Sequence, residues 1–347
     1  MTQLLFTLLV VTIGQTNEKA TFQIALSVQQ EGRSGIYVLS ADASDPKQLT
    51  NNRHDILPSW SPDGRQIAFL SLRQQDHELA AERDLAGHWF LYVMNADGQD
   101  QRRVTKTPIG AIFHWSSDGR RFLFQSSYED PSNQGKDGTV SSAIYTISAD
   151  GTRQTRLTPV HGIDSFPAWS PDGKRIAFCS DRAGALDIFV MNADGSGTSR
   201  VTTEAAEDTN PIWSPDGNSI AFMSYRRQRD GSVYVVGADG RGERWICNGG
   251  SPVAWSPDGN HILVASDGQI AVMGTDGQHQ RRLTRPGGRA LDGVFSRDGK
   301  TVYFRWNEQR DWKIVAVGVD GQGWQQVTDL TSGLGFSLSP IKTPREP

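Results

Sequence analysis

Residues 169–178 read Trp-Ser-Pro-Asp-Gly-Lys-Arg-Ile-Ala-Phe, a tight turn followed at once by a short apolar run. In such a turn Pro presets the second position, Asp stabilises the bend, and Gly adopts the positive φ that closes it. An aromatic residue followed by Ser-x-Asp-Gly recurs in six copies, at residues 60–64, 115–119, 169–173, 213–217, 255–259 and 295–299. The aromatic positions are 55, 54, 44, 42 and 40 residues apart, so one structural unit repeats along the chain.

Two further modules follow each turn in a fixed order. The first is an apolar run ending in Ala-Asp-Gly or a near relative, at residues 36–42, 91–98, 144–151, 188–195, 233–240, 270–277 and 314–321. The second reads Leu-Thr or Val-Thr at residues 49–50, 104–105, 157–158, 201–202, 283–284 and 327–328, with Trp-Ile-Cys at 245–247 in the remaining copy. Short apolar runs bounded by turn residues are typical of β-strands, and four strands per unit of this length indicate a β-propeller blade.

The two ends of the chain complete one blade between them. The first repeat starts at the second strand of a blade, near residues 22–28, whereas residues 334–340 resemble an inner strand without the rest of its blade. We therefore predict an all-β fold, a β-propeller of seven four-stranded blades over residues 21–342, closed by pairing of the C-terminal strand with the N-terminal blade. Closure by residues 8–13, or a ring of six blades, is the alternative. Residues 343–347 form a tail.

Composition excludes several classes of protein. The 347 residues carry 35 Lys and Arg against 39 Asp and Glu, a formal charge of −4, which argues against a nucleic-acid binder. Two cysteines, Cys179 and Cys247, exclude a disulfide-rich scaffold and a zinc site of four thiolates. They lie in different repeats, so we expect two independent thiols.

The N-terminus carries one apolar run. Residues 4–13 are too few to span a bilayer but match the apolar core of a secretory signal, with small residues near Gly14 suited to cleavage. We predict that residues 1–16 direct export to the periplasm or the extracellular space. The alternatives are an uncleaved or lipid-associated segment, or a buried strand. In the case of a buried strand the protein would be cytoplasmic.

The repeat resembles that of a known family. Trp-Ser-Pro-Asp-Gly-x-x-Ile-Ala-Phe, then Ile-Tyr-Val-Met-Asn-Ala-Asp-Gly, then Arg-Arg-Leu-Thr is similar to the TolB-type, WD-like β-propeller repeat, over about residues 22–340. The resemblance implies a periplasmic protein that docks a cell-envelope lipoprotein. TolB itself has an α/β domain before a six-bladed propeller, whereas the repeat count here predicts seven blades. Similar repeats form the propeller of prolyl-oligopeptidase-like proteases, but this chain has no Gly-x-Ser-x-Gly motif.

Long loops and unplaced aromatic residues are the candidate partner-binding features. Residues 72–88 and 126–142 lengthen the loops after the second strand in two neighbouring repeats, and long loops on a rigid scaffold often carry function. The alternative is that they are tolerated surface insertions. Trp residues outside the recurring position, and Arg residues in the loop 224–232, are candidates for exposed interface residues. The predicted partner-binding residues are Arg73, His77, Arg83, His88, Trp89, Tyr128, Arg226, Arg227, Trp306 and Trp312.

A second group of polar residues is expected near the mouth of the central channel. Asp55, Asp164 and Asp208 each stand five residues before a Trp, which favours loop bracing by Asx-type hydrogen bonds over a ligand-facing ring. Histidines also fall near this face, and imidazoles with a carboxylate suit a divalent cation. The predicted channel-mouth residues are His54, Asp55, His114, His161, Asp164 and Asp208. The recurring Trp residues themselves are expected to pack between blades.

These observations favour a non-catalytic scaffold. We predict a monomer that binds a protein or cell-envelope component and binds neither a cofactor nor nucleic acid. The binding surface is its channel mouth and its loop face, which is the end of the ring that carries the loops between the second and third strands of each blade and between successive blades. The alternative is an enzyme, either a metal-assisted polysaccharide lyase or another hydrolase or lyase acting at the channel mouth.

Overall fold

The protein is a ring of seven four-stranded antiparallel sheets. The computed structural model describes residues 22–30, 32–40, 46–73, 89–127, 141–159, 162–308, 311–328 and 332–340. The predicted export segment 1–16 and the tail 343–347 lie outside these residues. The prediction of an all-β propeller with seven blades is confirmed.

Each blade has four strands, named a to d from the ring centre outward. The inner strands a are β28 (Ser332–Leu338), β4 (Ile56–Trp60), β8 (Phe113–Trp115), β12 (Asp164–Trp169), β16 (Asp208–Trp213), β20 (Ser251–Trp255) and β24 (Arg289–Phe295). Strands b are β1 (Gln23–Gln30), β5 (Gln66–Ser71), β9 (Arg121–Ser126), β13 (Arg175–Ser180), β17 (Ser219–Ser224), β21 (His261–Ser266) and β25 (Thr301–Asn307).

The outer half of each blade is less uniform. Strands c are β2 (Arg33–Ser40), β6 (Phe90–Asn95), β10 (Ala143–Ser148), β14 (Asp187–Asn192), β18 (Ser232–Gly237), β22 (Gln269–Gly274) and β26 (Trp312–Gly318). Strands d are β3 (Lys47–Gln48), β7 (Arg102–Arg103), β11 (Thr155–Arg156), β15 (Ser199–Arg200), β19 (Arg244–Asn248), β23 (Arg281–Arg282) and β27 (Gln325–Gln326). Blade 1 is β28-β1-β2-β3, and blades 2 to 7 follow in chain order from β4 to β27.

The ring closes through the last strand of the chain. Strand β28 pairs antiparallel with β1, in a register that places Leu338 opposite Ile24. At the next residue the backbone N–H of Ser339 donates to the carbonyl of Gln23 at 2.7 Å. The predicted C-terminal closure is therefore confirmed, and β28 occupies the edge of β1 that closure by residues 8–13 would require.

The turns between strands a and b repeat one hydrogen-bond pattern. In blade 2 the hydroxyl of Ser61 donates to Asp63 at 2.6 Å and accepts from the backbone N–H of Gln66 at 2.9 Å. Gly64 completes the turn at φ 66°, a conformation that glycine adopts without strain. The Ser–Asp bond recurs in the other five copies, at Ser116–Asp118, Ser170–Asp172, Ser214–Asp216, Ser256–Asp258 and Ser296–Asp298. The recurring sequence motif therefore encodes one turn geometry.

The apolar core lies between blades rather than within one sheet. Seven buried clusters are present, each combining strands of two adjacent blades. The recurring tryptophans lie at these interfaces: the indole N–H of Trp213 donates to the carbonyl of Ala168 in the preceding blade at 3.1 Å. Trp115 and Trp255 make the equivalent bond. The prediction that these residues pack between blades is confirmed.

The two cysteines occupy neighbouring blades. Cys179 lies on β13 and Cys247 on β19; both are free, as the sequence predicts, and both are buried. Burial raises the pKa of the Cys247 thiol to about 11, which keeps it protonated and unreactive at neutral pH.

Candidate functional site

The three predicted channel-mouth aspartates belong to one buried ion-pair motif. Asp55, Asp164 and Asp208 lie at the inner start of blades 2, 4 and 5, and all three are buried. Each lies near the last serine of strand b, and an arginine follows that serine two residues later. The Asp–Arg distances are 3.7 Å for Asp55–Arg73, 2.9 Å for Asp164–Arg182 and 2.8 Å for Asp208–Arg226.

The arginine of each motif lies over aromatic rings of its own blade. The guanidinium carbon of Arg226 is 4.5 Å from the ring centre of Tyr234, and that of Arg182 is 5.0 Å from the ring of Phe189. The flat face of the guanidinium stacks on an aromatic ring while its charged N–H groups pair with the carboxylate. Each arginine is thereby held inside its blade.

The threonine of the Leu-Thr module extends this motif to the preceding blade. Thr202, which follows strand d of blade 4, accepts the backbone N–H of Ile188 through its hydroxyl at 2.9 Å and donates to Asp187 of its own blade at 3.5 Å. Its hydroxyl also helps to lower the pKa of Asp208 of blade 5. Burial raises the pKa of Asp208, while the bonds from Ser224 and Thr202 and the charge of Arg226 oppose that rise. In four copies the threonine hydroxyl accepts a backbone N–H from strand c of its own blade, so the Leu-Thr signature braces the end of strand d, and at Thr202 it also reaches the neighbouring blade.

The bracing of these aspartates differs from the sequence expectation. Asx-type turns would bond each carboxylate to nearby backbone, whereas Asp208 bonds side chains of Ser224, Arg226 and Thr202. Ser224 and Arg226 follow Asp208 by 16 and 18 residues, so the local pattern gave no sign of these two partners. With no surface exposed, Asp164 and Asp208 do not face a ligand in this conformation.

The predicted histidines do not gather at one point in the described part of the chain. His54 is half-buried and accepts from Nε of Arg53 at 3.2 Å. His114 is buried at the inner strand of blade 3, and burial lowers its pKa to about 4, so it is neutral at pH 7. His77, His88 and His161 lie outside the described residues. Among the residues that are described, no three His, Cys, Asp or Glu side chains are grouped to hold a metal ion.

Trp306 is a correction to the set of predicted interface residues. It is buried in blade 7, where its ring centre lies 6.4 Å from that of Trp324 and its N–H donates to Glu308 at 3.0 Å. It therefore packs in the core instead of forming an exposed interface residue. Trp312 is half-buried, 5.5 Å from the guanidinium carbon of Arg305.

The remaining predicted interface residues divide by burial. Trp89 is half-buried and bridges to Ile109 through the backbone. Arg73 and Arg226 are half-buried in the ion pairs described above, whereas Arg227 is exposed. Arg83, Tyr128 and most of the loops 72–88 and 126–142 lie outside the described residues, so their role stays a prediction.

A surface of blade 5 combines exposed aromatic residues with arginine. Tyr225 and Trp245 are each 41% exposed, and the guanidinium carbon of Arg227 lies 5.4 Å from the Trp245 ring centre. Tyr225 and Arg227 belong to the loop between strands b and c, and Trp245 lies on strand d. We call Tyr225, Arg227 and Trp245 the blade-5 patch. Its arginine was predicted, but Tyr225 and Trp245 were not, although the replacement of Leu-Thr by Trp-Ile-Cys was a visible signal.

The described residues contain no helix that is long and apolar enough to cross a membrane.

The repeats of this chain are similar to those of known proteins. The family model of the TolB beta propeller domain matches residues 132–250 and 208–343, more than half of the chain. Protein TolB homolog of Chlorobium luteolum is 28% identical over 177 residues, covering 50% of this chain and 35% of the relative. Uncharacterized peptidase YuxL of Bacillus subtilis is 30% identical over 151 residues, covering 36% and 21%. The chain spans less than half the length of these curated relatives.

Solved structures share the fold at low identity. TolB from Acinetobacter baumannii superposes with a TM-score of 0.56 at 18% identity, over 92% of this chain and 66% of the other. An oligogalacturonate lyase from Vibrio parahaemolyticus superposes with a TM-score of 0.62 at 14% identity, over 84% and 88%. Identities this low show a shared propeller and carry no activity with them. By its repeat, its seven-bladed ring and the matched family model, the chain belongs to the TolB beta propeller domain family.

Proposed function

We propose that the protein is a non-catalytic scaffold that binds a protein partner of the cell envelope through its loop face. The observation that carries this proposal is the blade-5 patch, in which the exposed Trp245 lies beneath Arg227 and Tyr225 is exposed in the same loop as Arg227. These residue types are enriched at the energetic centres of protein interfaces. Family membership supports the same kind of role, because a curated relative is named Tol-Pal system protein TolB.

The ring gives this surface a rigid support. Arg226, next to Arg227 in sequence, is fixed by Asp208 at 2.8 Å and by an ion pair with Glu243. The loop that carries Tyr225 and Arg227 is therefore held at its start, so little conformational entropy is lost when a partner binds. The long loops 72–88 and 126–142 follow strand b in blades 2 and 3, as loop 225–231 does in blade 5, so we include them in the proposed face.

We further propose that the protein lies outside the cytoplasm and is a monomer. It binds neither a cofactor nor nucleic acid. Residues 1–16 would direct its export. Recovery of the protein from the periplasmic fraction with a shortened N-terminus supports this location. Recovery from the cytoplasm at full length contradicts it.

Affinity capture tests the binding role. Immobilised wild-type protein and a Tyr225→Ala, Arg227→Ala double variant are incubated with the native envelope fraction, and bound proteins are identified and quantified. We expect one protein enriched on wild type and its recovery reduced about fivefold or more on the double variant.

The matched control is Gln99→Ala, an exposed residue after the turn between strands c and d of blade 2. It lies at the opposite end of the strands from the loop face, so it should recover as much partner as wild type. Equal recovery by the double variant would reject the loop face of blade 5, and absence of any enriched protein on wild type would reject the scaffold role.

A further inference from the structure

The outer strand of blade 5 differs in length from its six counterparts. Strand β19 has five residues, Arg244–Asn248, whereas each of the other six strands d has two. Among the described strands, β19 pairs only with β18, with a bulge at Ile246. The turn at Gly277 of blade 6 lies against the carbonyls of Trp245 and Ile246, and the rest of the other edge of β19 faces outward. Short edge strands protect a sheet from unwanted pairing, and a longer one is a template for an added strand.

The second side chain of this strand, that of Trp245, also departs from the other blades. Trp245 is paired with Tyr234 of strand c, and the equivalent partner in the other blades is a long polar residue. These equivalent residues are Gln48, Arg103, Arg156, Arg200, Arg282 and Gln326. Charged edges discourage association, so replacing the charge with an exposed indole favours it.

Positive charge surrounds the exposed indole. Arg227 lies over the ring of Trp245 and donates to the Tyr234 hydroxyl at 3.0 Å, while Arg244 is exposed and donates to the Thr275 carbonyl at 3.0 Å. The nearby carboxylate of Glu243 is already paired with Arg226. Among the described residues, Arg227 and Arg244 are therefore not paired with a carboxylate, and they lie around the exposed indole of Trp245.

We propose that β19 accepts an extended acidic segment of the partner protein as a fifth strand of blade 5. Backbone hydrogen bonds to β19 would supply affinity, and alternate side chains would meet Trp245 and the two arginines. A second copy of this chain fits poorly, because pairing two β19 edges brings Arg227 and Arg244 of both copies together. This inference rests on the proposed protein-binding function and names the chemistry of the partner.

A defined peptide tests the mode of binding. Fluorescein-labelled Glu-Val-Glu-Val-Glu-Val is titrated with wild-type protein, and fluorescence anisotropy is measured at low and high salt. We expect saturable binding that weakens with salt and that falls about tenfold or more for Lys-Val-Lys-Val-Lys-Val. Two isomers N-methylated at the Glu or the Val amides are compared, and methylation on the side facing β19 should abolish binding.

The protein variant uses a residue that other blades carry at this position. Trp245→Gln installs the residue found there in blades 1 and 7 and adds no charge, so the fold is expected to persist, and its melting temperature is measured beside wild type. We expect about tenfold weaker peptide binding for Trp245→Gln and unchanged binding for Gln99→Ala, an exposed turn residue of blade 2. No binding of the acidic peptide, or binding unaffected by either methylation or by Trp245→Gln, would overturn the proposal.

Affinity capture separates this inference from the proposed function. If Trp245→Gln recovers the wild-type envelope partner in full, the fifth-strand proposal fails while the scaffold role stands. If wild type recovers no partner, the scaffold role fails as well.

Discussion

At the residue scale, the polar positions that stand out in the sequence serve the ring itself. Asp55, Asp164 and Asp208 are buried and paired with arginine, and Thr202 joins one of them to the preceding blade. A buried carboxylate is tolerated only when its charge is compensated. Substitution of one of these aspartates should therefore change the free energy of unfolding more than it changes partner binding.

Asp208→Ala leaves the guanidinium of Arg226 without its buried partner. We expect the free energy of unfolding to fall by about 3 kcal/mol, measured by urea denaturation followed by tryptophan fluorescence. Asp194→Ala is the control, because Asp194 is an exposed turn residue, and it should cost less than about 1 kcal/mol. Equal effects of the two changes would contradict the assigned role of the ion pair.

His114 predicts a pH dependence of stability. Burial lowers its folded-state pKa from 6.5 to about 4, so between these values the unfolded chain binds more protons than the folded chain. Stability therefore decreases as pH falls through this window, by up to about 3 kcal/mol from this group. His114→Ala, the residue at this position in blades 4 and 6, should show a smaller decrease when unfolding is measured from pH 7 to pH 4. The same slope in both proteins would rule out His114 as the source.

At the element scale, the chain was predictable where one local motif determines one local geometry. Ser170, Asp172 and Gly173 form the same turn as their counterparts because every hydrogen bond is made within six residues. Trp306 was assigned wrongly because it is buried by a cluster of residues from other strands of blades 6 and 7, which its local sequence does not indicate. Arg226 and Arg227 are sequence neighbours, yet one is paired inside the blade and the other is exposed, a difference set by Asp208 on another strand.

The closing strand gives a test at this scale. Deletion of residues 332–347 removes β28 and exposes the edge of β1 together with the cluster that holds Phe336 and Leu338. We expect the melting temperature to fall by about 10 °C or more, measured by differential scanning calorimetry. Deletion of residues 343–347 alone is the control and should leave the melting temperature unchanged. Equal melting temperatures for wild type and the longer deletion would contradict C-terminal closure.

At the scale of the whole molecule, the ring is regular and blade 5 is its clearest exception. Six blades end in a two-residue strand, and blade 5 ends in five residues with an exposed Trp245. The fold could be predicted from the repeat, because its seven copies encode seven blades. The surface could not, because exposure of Tyr225 and Trp245 depends on how neighbouring blades pack, and the long loops vary independently of the repeat.

The central claim is that blade 5 contacts a protein partner, and site-specific photocrosslinking tests it most directly. A benzophenone amino acid replaces Tyr225 in one sample and Gln99, an exposed turn residue of blade 2, in another, and both proteins are irradiated in intact cells. We expect one covalent adduct with an envelope protein from position 225 and none from position 99. An absence of adducts at position 225, or the same adduct from both positions, would contradict it.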